Sequence, residues 1–387
     1  MMGKPMKNKI LFTILILTLL LPTQAVYANG EEPKPGEVLC PPGAYLIAPE
    51  NCLPLGPSQT LTTMVEQGIQ LPLIPLSAAN PDPALVDSNL SFAKLNVDAY
   101  EPVALYGSPE DSANGSNPIN YIPAGETRYI SFNSWVDING GHYLQRTAGG
   151  WVRASPTTYS SFQGLLFSRM PAQSFGWIVE ASLPRTAPGY AAPEMEKTLN
   201  REEVVSIYSV VNADGVDWYM IGFNQWVERR YIREMRVLDQ APEGVENGRW
   251  IDVNLYDQTL GVYEDGQLVF ATLIATGADP YYTQPGLFQI YEKKDTETMT
   301  GAFSADRSDY YQLEDVPWTM YFDQKRALHG AYWRALFGYE QTHGCVNLSI
   351  GDSHWLYNWA QLGDWVHVWD PSGKTPTDPA FYGAGGA

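Results

Sequence analysis

The chain has 387 residues and a formal net charge of −19. That length suits two or three domains, and the acidic balance argues against a nucleic-acid partner, because phosphate binding needs basic surface. Hydrophobic residues make up 44% and charged residues only 17%, with 29 Pro and 34 Gly, a mixture that favours strands and turns over long charged helices.

Residues 1–28 read as a signal peptide. Lys4, Lys7 and Lys9 precede an apolar run from Ile10 to Leu21, Pro22 breaks it, and Val26-Tyr27-Ala28 offers small residues for cleavage after Ala28. The run is short for a membrane span; a retained anchor is the alternative. Either reading predicts a secreted or extracytoplasmic protein associated with the cell wall. Residues 29–91 are rich in Pro, Glu, Asn and Ser and lack a sustained period, as in a spacer. Cys40 and Cys52 flank Pro-rich sequence there, and in an exported chain they predict a small-loop disulfide.

Residues 92–240 contain a diverged repeat offset by 75 positions: Val136 matches Val211, Gly140 matches Gly215, Tyr143 matches Trp218, and Trp151-Val152 matches Trp226-Val227. Each copy has a Gly turn, an aromatic strand and a Trp-Val pair, which predicts small β-barrels. The copies, 92–160 and 161–240, resemble bacterial SH3-like wall-associated modules. That resemblance implies wall binding, with a structural spacer as the other reading.

A third domain, 248–370, is predicted from strand alternation at Ile251, Val253 and Leu255. Thr259–Glu264 and Gln267–Ala275 flank an Asp265-Gly266 hairpin turn. Strands follow at Leu287–Tyr291 and Trp318–Phe322, the latter feeding His329. A helix capped by Ser349 or Asp352 presents Trp355, Leu356, Trp359 and Leu362 on one face and ends at Gly363. Trp365–Trp369 returns as a strand, and 371–387 reads as a flexible tail. The strands, turns and helix look self-contained, so a fragment from about Gly248 to Ala387 is expected to fold alone.

The chemistry concentrates near the end of this domain. Cys345 stands in Thr342-His343-Gly344-Cys345-Val346-Asn347, with His329-Gly330 upstream. A thiolate is a strong nucleophile and an imidazole can take the thiol proton, so Cys345 is the candidate nucleophile and His329 the candidate base, a pair that can exist as thiolate and imidazolium; a buried inert cysteine and a core histidine are the alternatives. Gly344 allows close backbone approach, and the amides of Gly344 and Cys345 are candidate oxyanion donors. His343 shares a face with Cys345 on an extended stretch and either tunes the site or braces the loop. His142, His354 and His367 read as packing or surface residues. No metal is expected, because no HExxH or CxxC occurs, and no cofactor is required.

His329-Gly330 and Thr342-His343-Gly344-Cys345-Val346-Asn347 resemble the signature of the L,D-transpeptidase (YkuD-like) catalytic domain. Twelve residues separate His329 from Thr342, slightly fewer than that pattern has, and Thr283-Gln284-Pro285-Gly286 departs a little from its Thr-Pro-x-Gly. The resemblance implies a mostly β protein: SH3-like barrels followed by a YkuD-like β-sandwich carrying one covering helix. It places the Gly330 carbonyl behind the His329 ring and makes Thr342, Asn347 and Tyr321 substrate-binding residues. It implies an exported cysteine transpeptidase acting on peptidoglycan stem peptides, releasing D-alanine and passing the acyl group to a stem amine or to water. The alternative is a wall-binding protein with an inert catalytic domain.

Overall fold

A computed structural model describes residues 57–382, apart from 96, 304, 305 and 308. The expected signal peptide and the Cys40–Cys52 disulfide lie outside the described residues. The chain divides into two compact units, Met1–Gly68 and Ile69–Ala387. Helix α1 (Pro57–Glu66) belongs to the first; among the described residues, every sheet belongs to the second.

The second unit begins with β1 (Ala78–Ala79) and β2 (Ser91–Lys94). β3 (Val103–Tyr106), α2 (Pro109–Asn114), β4 (Pro118–Ile122), β5 (Thr127–Ile138), β6 (Gly141–Arg146), β7 (Trp151–Arg153) and β8 (Ser155–Pro156) follow. β9 (Leu165–Phe167), β10 (Phe175–Ile178), β11 (Val204–Ser206), β12 (Ser209–Ala213), β13 (Val216–Gly222), β14 (Gln225–Glu228) and β15 (Ile232–Met235) come next.

The sequence repeat corresponds to a repeated hairpin register. Val136 faces Tyr143 across β5–β6, and Val211 faces Trp218 across β12–β13. On the next strand Leu144 faces Val152, as Tyr219 faces Val227. Both turns place two residues at positive φ, Asn139-Gly140 at 51° and 76° and Asp214-Gly215 at 54° and 78°. That pattern matches the right-handed twist of the flanking strands. The first copy closes over a core that includes Ala93, Leu105, Ile130, Leu144 and Val152.

The last third contributes β16 (Arg249–Asn254), β17 (Thr259–Glu264), β18 (Gln267–Leu273), β19 (Gly286–Gln289), β20 (Glu292–Gly301), β21 (Tyr311–Asp323), β22 (Arg326–Gly330), β23 (Val346–Leu348), α3 (Ile350–Trp359) and β24 (Trp365–Trp369). One sheet runs β1-β9-β18-β17-β16-β24-β19; the other carries β23-β22-β21, with β20 also on β21. Their apolar faces meet in one core, with Ile251, Val262 and Phe270 on one side and Met320, Leu328 and Val346 on the other. The result is a mostly β sandwich, as the sequence implies.

Helix α3 covers this core through buried Leu356 and partly buried Trp355 and Trp359. The Ser349 hydroxyl accepts from the Asp352 amide at 3.2 Å and caps the helix. Leu362 differs from expectation: the helix ends at Trp359, and Leu362 lies beyond it, 64% exposed. β20 goes unread in the sequence because Glu292–Gly301 is almost wholly polar, so it offers no apolar alternation.

Strands from outside 248–370 pair directly into the sandwich. β9 pairs β18, with Leu166 opposite Phe270. β5 pairs β21 in parallel, with Thr127 opposite Tyr311 and Tyr129 opposite Leu313. The Gly164 amide donates to buried Asp352 at 2.9 Å. The expectation of a self-contained fragment therefore meets a sheet that depends on earlier strands for two of its edges.

Candidate active site

β22 and β23 run parallel, with Leu328 opposite Val346, His329 opposite Asn347 and Gly330 opposite Leu348. Side chains two apart share a face. Cys345, immediately before β23, therefore points to the same side as Asn347 and its neighbour His329. All three line one open cleft of about 280 Å³, together with Thr342 and His343.

Hydrogen bonds fix the histidine tautomer. His329 Nδ1 lies 3.2 Å from the Gly330 carbonyl, which can only accept, so Nδ1 carries the proton. His329 Nε2 is 3.0 Å from Asn347 Nδ2. The amide is oriented because Arg334 Nε donates to Asn347 Oδ1 at 2.5 Å. Nε2 therefore presents its lone pair. Gly330 must be glycine for packing: a Cβ there would sit 2.6 Å from Ser353 Oγ and 3.0 Å from Ile350 Cδ1 on α3.

The electrostatics differ from the expected ion pair. Cys345 is 4% exposed, and His329 is 2% exposed. Burial pushes the Cys345 thiol up to about 11, against a backbone hydrogen bond from Ala327 and the charge of Arg326. Burial pushes His329 down to about 4; the Gly330 carbonyl opposes this and the Arg334 charge adds to it. At neutral pH the resting site holds a thiol and a neutral imidazole, because removing charge from water outweighs the neighbouring charges.

The loop ahead of the cysteine is held from both sides. Thr342 Oγ1 donates to the Cys345 carbonyl at 2.7 Å and accepts from the Gly344 amide at 3.1 Å. The Gly344 amide is thus occupied, which corrects its expected place as an oxyanion donor. Thr283 Oγ1 donates to the Gly344 carbonyl at 2.9 Å. Gly344 adopts φ +117°, and a Cβ there would meet Arg326 Nε at 3.1 Å. His343 is exposed yet lies against aromatic rings, 4.5 Å from Phe303 and 5.0 Å from Tyr281 between centroids. Desolvation lowers its basicity.

Tyr321 is not in the cleft lining. It pairs with Ala327 across β21–β22 and stacks 6.2 Å from Tyr291. Sequence reasoning missed Arg334, Arg326 and Thr283. Thr283 lies in the string already compared with the Thr-Pro-x-Gly of the family pattern. Nothing in the spacing of the two arginines signals that they converge on the site. Arg326 is 4% exposed and donates to Asp323 at 2.7 Å. Among the described residues, no His, Cys, Asp and Glu cluster able to hold a metal ion occurs.

Comparisons with known proteins bear on the same segment. No curated protein matches the chain. Among solved structures, an L,D-transpeptidase from Stackebrandtia nassauensis is 31% identical, with 36% of this chain and 62% of that one covered and a TM-score of 0.28. A mutant Enterococcus faecium L,D-transpeptidase is 24% identical over 32% of this chain and 50% of its own, TM-score 0.30. The isolated catalytic domain of the Enterococcus faecium L,D-transpeptidase is 25% identical over 33% of this chain and 100% of its own, TM-score 0.29. The chain thus spans less than two thirds of the first two. The family model for the L,D-transpeptidase catalytic domain matches residues 248–368, which hold β16 to β24, His329 and Cys345. Residues 248–368 therefore carry an L,D-transpeptidase catalytic domain of the YkuD family.

Proposed function

We propose that the protein is an exported cysteine transpeptidase acting on peptidoglycan stem peptides. One observation carries the reading: Cys345 and His329 of the matched domain line one cleft, and the His329 proton sits on Nδ1, so Nε2, which accepts from Asn347 at rest, is the nitrogen that can take a proton once that bond is released. Cys345 Sγ attacks the carbonyl of the third stem residue, a diamino acid. Its proton passes to His329 Nε2 as the C–S bond forms, so the thiolate exists only in the company of the substrate. The C–N bond to the fourth residue then breaks, His329 returns the proton to the departing amine, and D-alanine leaves. An amine of a second stem, or water, attacks the thioester, gives its proton to His329 and restores the thiol. Dividing acyl transfer through a covalent intermediate is the general advantage of such a nucleophile.

Asn347 and Arg334 hold the base in the active tautomer, while Thr342 and Thr283 hold the loop that carries the nucleophile. Burial raises the thiol and lowers the imidazole, so proton transfer from Cys345 to His329 is uphill in the resting site and is coupled to the step that bonds Sγ to the carbonyl. Wall binding through the two repeat copies is a further part of the proposal; it rests on their sequence resemblance.

The test is mass spectrometry of the full chain with a purified tetrapeptide stem. D-alanine release, with an acyl adduct on the peptide that holds Cys345, supports the reading. Cys345→Ala abolishes both, and His329→Ala lowers the release rate by roughly 10²-fold. Absence of release and of adduct from the unaltered chain, together with retention on sacculi, would leave the wall-binding alternative in its place.

A further inference from the structure

The catalytic cleft does not end at the catalytic domain. Lys94, Glu126, Thr127 and Tyr129, all from the first repeat copy, line it beside Cys345. The sheet register explains how. Lys94 faces Tyr129 across β2–β5, Tyr129 faces Leu313 across β5–β21, and Leu313 faces Met299 across β21–β20. Directly paired residues share a face of the sheet, and all four line the cleft. One continuous rung therefore crosses from the first copy into the catalytic sheet.

This wall is firmly attached. Arg146 pairs with Glu314, their side chains 11% and 3% exposed. Ser131 Oγ donates to Asp315 at 2.5 Å. Phe92 stacks on Tyr332 at 3.6 Å between centroids and 9° between planes. Buried Arg128 ties the strand to the carbonyls of Asp98 and Glu101 at 2.8 and 2.7 Å.

Lys94 and Glu126 are exposed at this wall, and among the described residues neither makes an ion pair. Among the described residues, Glu126 is the one carboxylate in the lining. The other guanidinium or ammonium there, Arg334, is committed to Asn347 and Gln341. Among its described residues, a chain with 43 acidic and 24 basic residues thus keeps one uncommitted cation and one uncommitted anion on the same wall of its catalytic cleft.

We infer that Lys94 and Glu126 of the first repeat copy select the donor peptide, by pairing with a diamino-acid side chain that ends in both a carboxylate and an ammonium. Lys94 meets the carboxylate and Glu126 the ammonium. The inference rests on the transpeptidase reading and narrows its substrate class. A side chain ending in an ammonium alone satisfies Glu126 but brings its positive charge to Lys94 without compensation.

The experiment measures kcat/KM for D-alanine release by the full chain. It uses two tetrapeptides that differ in the third residue, one ending in ammonium plus carboxylate, the other in ammonium alone. The expected preference for the first is about fivefold, the scale of one exposed charge pair, and it declines with added salt. Lys94→Gln brings the ratio close to one; Glu126→Gln lowers kcat/KM for both peptides by about fivefold. Arg169→Gln, at the position 75 residues after Lys94, leaves the ratio as it was. Melting temperatures establish that each variant folds. Equal rates with both peptides, or a preference that survives Lys94→Gln, would overturn the inference and leave the transpeptidase reading intact. Release from neither peptide would take down both.

Discussion

The two repeat copies share a hairpin register residue for residue, yet they hold different places in the molecule. The first sends β5 alongside β21 and supplies a wall of the cleft. The second sends β9 alongside β18 in the other sheet of the sandwich but places its hairpin in a separate three-stranded sheet, β12-β13-β14, which meets the catalytic domain through contacts such as Tyr256 Oη to Asp217 at 3.2 Å. None of its residues lines the cleft that holds Cys345. Local chemistry, a Gly turn and paired aromatic strands, sets the register in both. What separates them is length: β5 has 12 residues against 5 in β12. Its first half is left to pair with β2 and β21 after its second half has made the hairpin.

The largest expected effect comes from cutting the chain at the family boundary. A fragment of residues 248–387 loses β5 from β21 and β9 from β18, and strips the partner from buried Asp352. It is expected to lack a cooperative thermal transition. A fragment that melts cooperatively would show that the strands from both copies are accessories.

Next comes the tether of each copy. Glu314→Ala leaves Arg146 and Gln312 without their shared buried partner and is expected to cost roughly 3–5 kcal/mol. Tyr256→Phe removes a single half-buried bond to the second copy and is expected to cost about 0.5–1.5 kcal/mol. Denaturant unfolding of the two variants measures the contrast, and equal costs would erase it.

A smaller effect concerns the thiol. Burial holds Cys345 near 11 and His329 near 4, so alkylation of Cys345 by iodoacetamide should rise about tenfold per pH unit from pH 7 to 10, following the thiolate fraction. Its profile should have no inflection between pH 5 and 8. A plateau there would restore the thiolate–imidazolium pair. Tyr129→Ala, which opens the wall to water, should move the profile to lower pH. Val204→Ala, the position 75 residues later in the second copy, should not.

The legibility of this chain in its sequence follows the range of the interactions. Turns at Asn139-Gly140, Asp214-Gly215 and Asp265-Gly266 are visible because two adjacent residues set positive φ. β16, β17 and β24 are visible because period-2 alternation is local. The cysteine and histidine are visible as types within a string. The parallel pairing of β5 with β21 joins residues about 184 positions apart, as Ser131 and Asp315 do, and leaves no local mark. The same holds for Arg334 and Arg326, whose placement depends on the finished fold, and for the Gly344 amide, which a nearby threonine hydroxyl takes. The charge state of the pair is likewise a product of burial, which the spacing of His329 and Cys345 does not encode.

The claim that the first copy, and not the second, belongs to the active site can be tested by hydrogen exchange. Amide exchange followed by mass spectrometry would compare the full chain before and after acylation of Cys345 by a carbapenem, whose strained carbonyl accepts a thiol. The account predicts slowed exchange in peptides covering Lys94 and Glu126–Tyr129, as well as those around His329 and Cys345, with residues 204–235 unchanged. Slowing confined to residues 248–368, or equal in the two copies, would contradict it.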